Sequence, residues 1–237
     1  MLRTQIKDML KKIARWLQLR LAKYTGHVGP LTIDERIAEW KSQHQPYELD
    51  YHKLVDNYRW HDEEFTAYWT EVFGTFSGLS PGQFSPDNII IDIGCGSRPA
   101  FDWFDTQCIK YHMDPLIDEY RKITKVQQFW KNKPQESLLS KPAEEFIPSL
   151  KNCGDFINCW NVLDHTYDWR RILLNLWQYA KSDALVCIGT DLESHGVGHP
   201  GINDPIFFWE FVKSHFHVLK KYENYLHREI ALLLRKY

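Results

Sequence analysis

Apolar residues recur along this chain in two different rhythms. From Met1 to about Ser80 they return at helical spacing, whereas from Asn88 onward short apolar runs alternate with helix-period segments. The second rhythm predicts βαβ units on a parallel sheet. The change falls at "GLSPGQFSPDN" (78–88), a stretch rich in Gly, Pro and Ser that reads as a boundary. Three regions follow: a basic amphipathic helix over 1–25, a helical and aromatic-rich cap over 26–80, and an α/β domain over 87–237.

Within the first half, Leu2, Ile6, Met9, Leu10, Ile13, Trp16, Leu17 and Leu21 fall on one helical face. Arg3, Lys7, Lys11, Lys12, Arg15 and Lys23 lie on or beside the other. Such a helix can rest in a membrane interface or dock on a protein surface. Arg20 interrupts the apolar face, which favours docking. Further on, Phe65, Tyr68, Trp69, Val72, Phe73 and Phe76 predict a helix with its aromatics turned inward. Before it, Tyr47, Tyr51, Tyr58 and Trp60 stand among acids; such rings pack in cores and interfaces, and can also stack on a sugar face.

In the second half, "NIIIDI" (88–93) predicts a strand apolar on both faces, from the middle of a parallel sheet. "CIKYHMD" (108–114) and "DALVCIGTD" (183–191) supply further strands. "HVLKKYENY" and "REIALLLRKY" read as a closing antiparallel pair. Before that pair Asp204 is placed to cap a helix that has Pro205 in its first turn.

Composition narrows the class. The 237 residues carry 29 basic and 31 acidic side chains, so there is no overall field for gripping nucleic acid. The five cysteines are odd in number, and Cys95, Cys159 and Cys187 sit in or just after apolar runs, which suits reduced thiols and a cytoplasmic protein. No stretch approaches the roughly 20 apolar residues that span a bilayer, leaving at most a peripheral contact through residues 1–25.

Chemistry concentrates after the first strand of the α/β domain. In parallel sheets, ligands bind at the carboxyl ends of the strands. There "DIGCG" (92–96) places an acid before spaced glycines, and Gly94 and Gly96 allow close approach to the backbone. A second acid, Asp114, follows 22 positions later (114 − 92), suiting a neighbouring strand whose carboxylate takes ribose hydroxyls. Pro99 stands where a dinucleotide fingerprint has its third glycine, and removes a backbone donor from any pyrophosphate cradle.

On these residues the chain resembles the class I S-adenosylmethionine-dependent methyltransferases. The resemblance covers about 87–237 and implies a Rossmann-like, doubly wound, seven-stranded, mostly parallel sheet with an N-terminal helical extension. It implies S-adenosylmethionine as cofactor, held by Asp92, Gly94, Cys95, Gly96 and Asp114. By the same resemblance "SLLSKPAEEF" (137–146) holds the third strand and its exit loop and "DFINCWN" (155–161) the fourth. Glu144 is the best substitute for the acid that the family often places near the adenine, and Asn161, Val162 and Leu163 would line the methionine end. Two departures stand out: Arg98 replaces a glycine, and Pro142 precedes Ala143.

The acceptor pocket is expected beside "GTDLESHGVGHPGIND" (189–204). His199 and His165 are the candidate bases for a hydroxyl acceptor. Asp164, Asp191, His195 and His199 have no recognisable metal-ligand spacing, and no metal is expected. Asp164 also suits a helix N-terminus. The function expected is O-methylation of a glycan or lipid-linked sugar. The alternatives are a non-catalytic scaffold with the same fold, or a small-molecule methyltransferase.

Overall fold

Alternation along β1 (Ile89–Ile93) sends its side chains into two separate cores. Ile91 and Ile93 join a cluster on one face of the sheet, while Ile90 joins a second cluster on the other. β4 (Gly154–Trp160) divides in the same way, with Ile157 and Cys159 to the first and Phe156 and Trp160 to the second. A strand buried on both faces belongs in the sheet interior, where each fully buried Ile or Phe contributes roughly 1.5–3 kcal/mol.

The computed structural model describes residues 32–53, 61–103, 107–134, 137–192, 201–202, 204–226 and 228–237. The basic segment 1–25, Tyr58, Trp60, His195 and His199 lie outside them. The chain divides into two compact units, Met1–Ala38 and Glu39–Tyr237. Of the first, residues 32–38 are described, and they form most of α1 (Ile33–Glu39).

The second unit holds a seven-stranded sheet in the order β3-β2-β1-β4-β5-β7-β6. β2 (Ile109–Met113), β3 (Leu138–Leu139), β4 and β5 (Ala180–Thr190) run parallel to β1. β7 (Arg228–Lys236) enters antiparallel beside β5, and β6 (Phe216–Tyr225) closes the edge, as the sequence predicts. Because the order reverses between β1 and β4, the carboxyl ends of these strands flank a topological switch point.

Helices cover both faces. α2 (Gln45–Lys53) follows a π-wound turn, Trp40–His44. α3 (Asp62–Trp69) continues as a π-wound stretch, Thr70–Phe76, where the sequence predicts one α-helix. The inward aromatics are as expected: Phe65, Trp69, Val72, Phe73 and Phe76 are buried, and Phe73 lies 5.7 Å from Phe156, ring to ring. On the opposite face, α4 (Trp169–Tyr179) is capped by Asp168, which accepts from Arg171 N at 3.3 Å. α5 (Pro205–His215) is capped by Asp204, which accepts from Phe207 N at 3.1 Å. Asp155 ties the start of β1 to β5: it accepts from Ile89 N at 2.7 Å and pairs with Lys181 at 2.8 Å.

Candidate active site

The turn after β1 is built from two left-handed glycines, Gly94 at φ 66° and Gly96 at φ 64°. The backbone N–H groups of Gly94 and Cys95 both donate to Met113 O, at 2.7 and 3.2 Å, which folds the turn across the end of β2. Gly94 has a second reason to lack a side chain. A Cβ there would stand 2.3 Å from Val162 Cγ2, so the loop after β4 already fills that space.

Asp114 leaves the end of β2 beside this turn. Its carboxylate accepts from Gly96 N at 3.0 Å and from Leu116 N at 2.9 Å, which fixes it toward the glycines. Glu144 arrives from the segment after β3, held in place where Asn175 Nδ2 donates to the carbonyls of Ala143 and Glu144 at 2.8 and 3.1 Å. Its Oε1 accepts from Tyr167 N at 3.1 Å, while Oε2 is buried without a hydrogen-bond partner among the described residues. Burial pushes the Glu144 carboxyl up to about 7, against the pull of its backbone donors.

After β4, Asn161 takes a left-handed conformation at φ 61°. Its Oδ1 accepts from Arg228 Nη1 at the start of β7, and Arg228 also pairs with Asp191 at 3.0 Å. His165 follows on a short 3₁₀ turn, Leu163–His165. One ring nitrogen, Nε2, lies 3.4 Å from buried Asp164, and the other, Nδ1, lies 3.6 Å from Glu48 of α2. Burial pulls the His165 pKa down, but Glu48 and Asp164 outweigh it and raise the value above that of ordinary histidine. Burial likewise pushes Glu48 up, and its contacts with His165 and His52 reverse this and hold it well below the carboxylate range.

The glycine turn, Asp114, Glu144, Asn161, Glu48 and His165 line one pocket beside the carboxyl ends of β1 and β4. Of the residues expected at the cofactor, Gly94, Gly96, Asp114, Glu144 and Asn161 line it with His165 and Val162. Asp92, Cys95 and Leu163 are not among its lining residues. Asp92 is turned across the sheet, accepting from Asn158 Nδ2 at 2.8 Å and from Ala100 N at 2.9 Å, where it braces the loop after β1. Cys95 packs with Leu116, Ile117 and Tyr120, and Leu163 is fully buried in the first core.

Arg98, the departure from the glycine pattern, has its own setting. Its guanidinium lies 3.8 Å from the Phe65 ring centroid and 4.3 Å from that of Phe129. It also pairs with Asp62 at 2.8 Å. Asp164 stands in the first turn of the 3₁₀ segment Leu163–His165, as an acid suits a helix N-terminus, and its Oδ1 accepts from Thr190 Oγ1 at 3.2 Å. Among the described residues no group of three or more His, Cys, Asp or Glu is arranged to hold a metal ion. None of their helices is long and apolar enough to cross a membrane.

Four lining residues, and one that braces the site from behind, were not foreseen from the sequence. Trp40, His44, Glu48 and His52 enter from the π-wound turn and α2, and Arg228 reaches Asn161 from the tip of the β6–β7 hairpin. A signal for the first four was present: they recur at every fourth residue and so return to nearly the same side of a helix.

A family model described as "Methyltransferase domain" matches residues 60–229. No curated protein matches the chain. Among solved structures, the chain is similar to 1,6-didemethyltoxoflavin-N1-methyltransferase of Burkholderia thailandensis, solved with 1,6-didemethyltoxoflavin and S-adenosylhomocysteine bound. That pair shares 13% identity, covers 89% of this chain and 93% of the other, and has a TM-score of 0.59. N-methyltransferase NodS of Bradyrhizobium japonicum WM9, in complex with S-adenosylhomocysteine, shares 13% identity over 81% of this chain and 96% of its own, with a TM-score of 0.51. The [4+2]-cyclase SpnF shares 11% identity over 72% of this chain and 79% of its own, also with a TM-score of 0.51. At these identities the likenesses establish a common fold.

Proposed function

As the chain belongs to the methyltransferase-domain family and is an S-adenosylmethionine-dependent methyltransferase, we propose that the cavity at the switch point takes this cofactor and opens to a small polar acceptor methylated on oxygen, a sugar hydroxyl foremost. The observation that carries the assignment is the convergence of Asp114, the glycine turn and Glu144 on one pocket. The donor set suits the cofactor. Asp114 is a carboxylate for vicinal hydroxyls, and Glu144 Oε2, buried without a partner among the described residues, suits an N–H donor such as the adenine amino group. Asn161 and Val162 would border the methionine end. When bound, the cofactor supplies a methyl group made electrophilic by its sulfonium.

The protein's own part is to bind, align and manage one proton. Alignment alone can supply a large share of the rate, because holding the acceptor in line with the methyl replaces a bimolecular encounter. His165 in its neutral form would receive the acceptor's proton, and its two carboxylate neighbours favour the imidazolium that results. His199 is the second candidate base by sequence. The preference for a sugar rests on the ring-rich segment before α3, where Tyr47 and Tyr51 are exposed. A lipid-linked sugar would give the basic segment 1–25 a place at anionic headgroups, tested by liposome sedimentation with and without residues 1–24.

The direct test is turnover with a trideuteromethyl donor against parallel panels of sugars, phenols and amines, read by mass spectrometry. A labelled sugar supports the proposal. A labelled amine alone would replace it with N-methylation, and binding without any labelled product would favour a non-catalytic role for the fold.

A further inference from the structure

The side of α2 that faces the pocket carries chemistry the transfer reaction has not yet used. Glu48 lies between two imidazoles, 3.4 Å from His52 Nε2 and 3.6 Å from His165 Nδ1. Beyond His165, Nε2 is 3.4 Å from Asp164 Oδ2 and 3.3 Å from Asn161 Oδ1, so both ring nitrogens face oxygen atoms. Beyond His52, Nδ1 is 2.8 Å from Ser97 Oγ, in the loop that follows β1. The turn before α2 adds a further tie, since Trp40 Nε1 donates to the backbone carbonyl of His165 at 2.9 Å.

We propose that Glu48 is the positioning residue of His165, holding its imidazole from α2 and linking it through His52 to Ser97. Glu48, Asn161 and His165 all line the cavity, so the imidazole meets it between α2 and the loop after β4. On transfer the acceptor oxygen gains the methyl, sulfur keeps the electron pair of the broken bond, and the hydroxyl proton passes to the His165 imidazole. The imidazolium so formed stands between two fixed carboxylates, the arrangement by which a third group orients and supports a base. Besides Glu48 and Asp164, the charged group acting on this ring is Arg228, which opposes the cation. The role of Glu48 rests on His165 serving the acceptor as proposed above, and its test separates the two.

The experiment follows the His165 ring resonances by NMR across pH in the ligand-free protein, for wild type, Glu48→Gln and Glu48→Asp. Both variants are expected to lower the His165 titration midpoint, Glu48→Gln the more and Glu48→Asp by a smaller but measurable amount. In turnover, the acid limb of the kcat profile moves down with that midpoint. kcat in the Gln variant falls about tenfold or more, while S-adenosylhomocysteine affinity changes by less than about threefold. An unchanged midpoint in a Gln variant that melts like wild type overturns the proposal. If the Gln variant does not fold, the Asp variant decides, since lengthening the contact should still lower the midpoint and an unmoved one overturns the proposal. A shifted midpoint in a protein that binds no S-adenosylhomocysteine supports the hold of Glu48 on His165 and overturns the transferase site instead.

Discussion

Replacing Gly94 by alanine would measure how firmly the first glycine of the turn is required. Two separable costs follow from its setting. At φ 66° an added Cβ strains the left-handed backbone, which costs roughly 1–2 kcal/mol. That Cβ would also stand 2.3 Å from Val162 Cγ2 and 3.0 Å from Cγ1, an overpacking that costs roughly 1–3 kcal/mol. Their sum, about 2–5 kcal/mol, should lower the melting temperature of a chain this size by about 4–20 °C. Val162→Ala tells the two apart. Alone it removes two methyl groups and costs about 1–3 kcal/mol. In the Gly94→Ala background it also removes the clash, so the pair should couple favourably by about 1–3 kcal/mol and leave the backbone cost in place. Urea unfolding followed by tryptophan fluorescence gives all four corners of this cycle. A Gly94→Ala protein within about 0.5 kcal/mol of wild type would refute both the strain and the clash.

Glu144 makes stability depend on pH. Its folded value of about 7 lies above its ordinary 4.5, so its contribution is complete below pH 4.5 and is lost as pH rises through 7. The loss amounts to at most ~3 kcal/mol, and Glu144→Gln should flatten that slope in denaturation curves measured between pH 5 and 8. The cysteines should differ in reactivity. Burial pushes the Cys187 thiol up to about 12 and Cys159 well above its ordinary value, whereas Cys153 is half-buried with a smaller rise. Brief alkylation of the folded protein should therefore label Cys153 well before either, as read by peptide mass spectrometry, and early labelling of Cys187 would show that β5 opens readily.

Much of the sheet is legible because a buried strand writes itself as an apolar run. "NIIIDI" and "DALVCIGTD" have no polar face to compete for, and they became β1 and most of β5. β3 is only Leu138–Leu139, too short for any period, and the resemblance to a known family located it. The polar site is harder to read because a charged side chain looks alike whether it meets water or another element. Glu48 and His52 resemble a solvated helix face until α2 is laid against the loops after β1 and β4. Arg228 lies 67 positions from Asn161, and only the antiparallel insertion of β7 beside β5 brings them together. Asp92 shows the reverse: a motif acid expected at the ligand spends both oxygens on Asn158 and Ala100.

Calorimetric titration with S-adenosylhomocysteine, of wild type and of Asp114→Asn, tests the central claim most directly. Asparagine keeps the shape of Asp114 but weakens its grip on vicinal hydroxyls. The account therefore expects saturable binding by wild type and a loss of about tenfold to a hundredfold in the variant. Absence of binding heat from a folded wild-type protein, or equal affinity in the two, would contradict the placement of the cofactor at the switch point between β1 and β4.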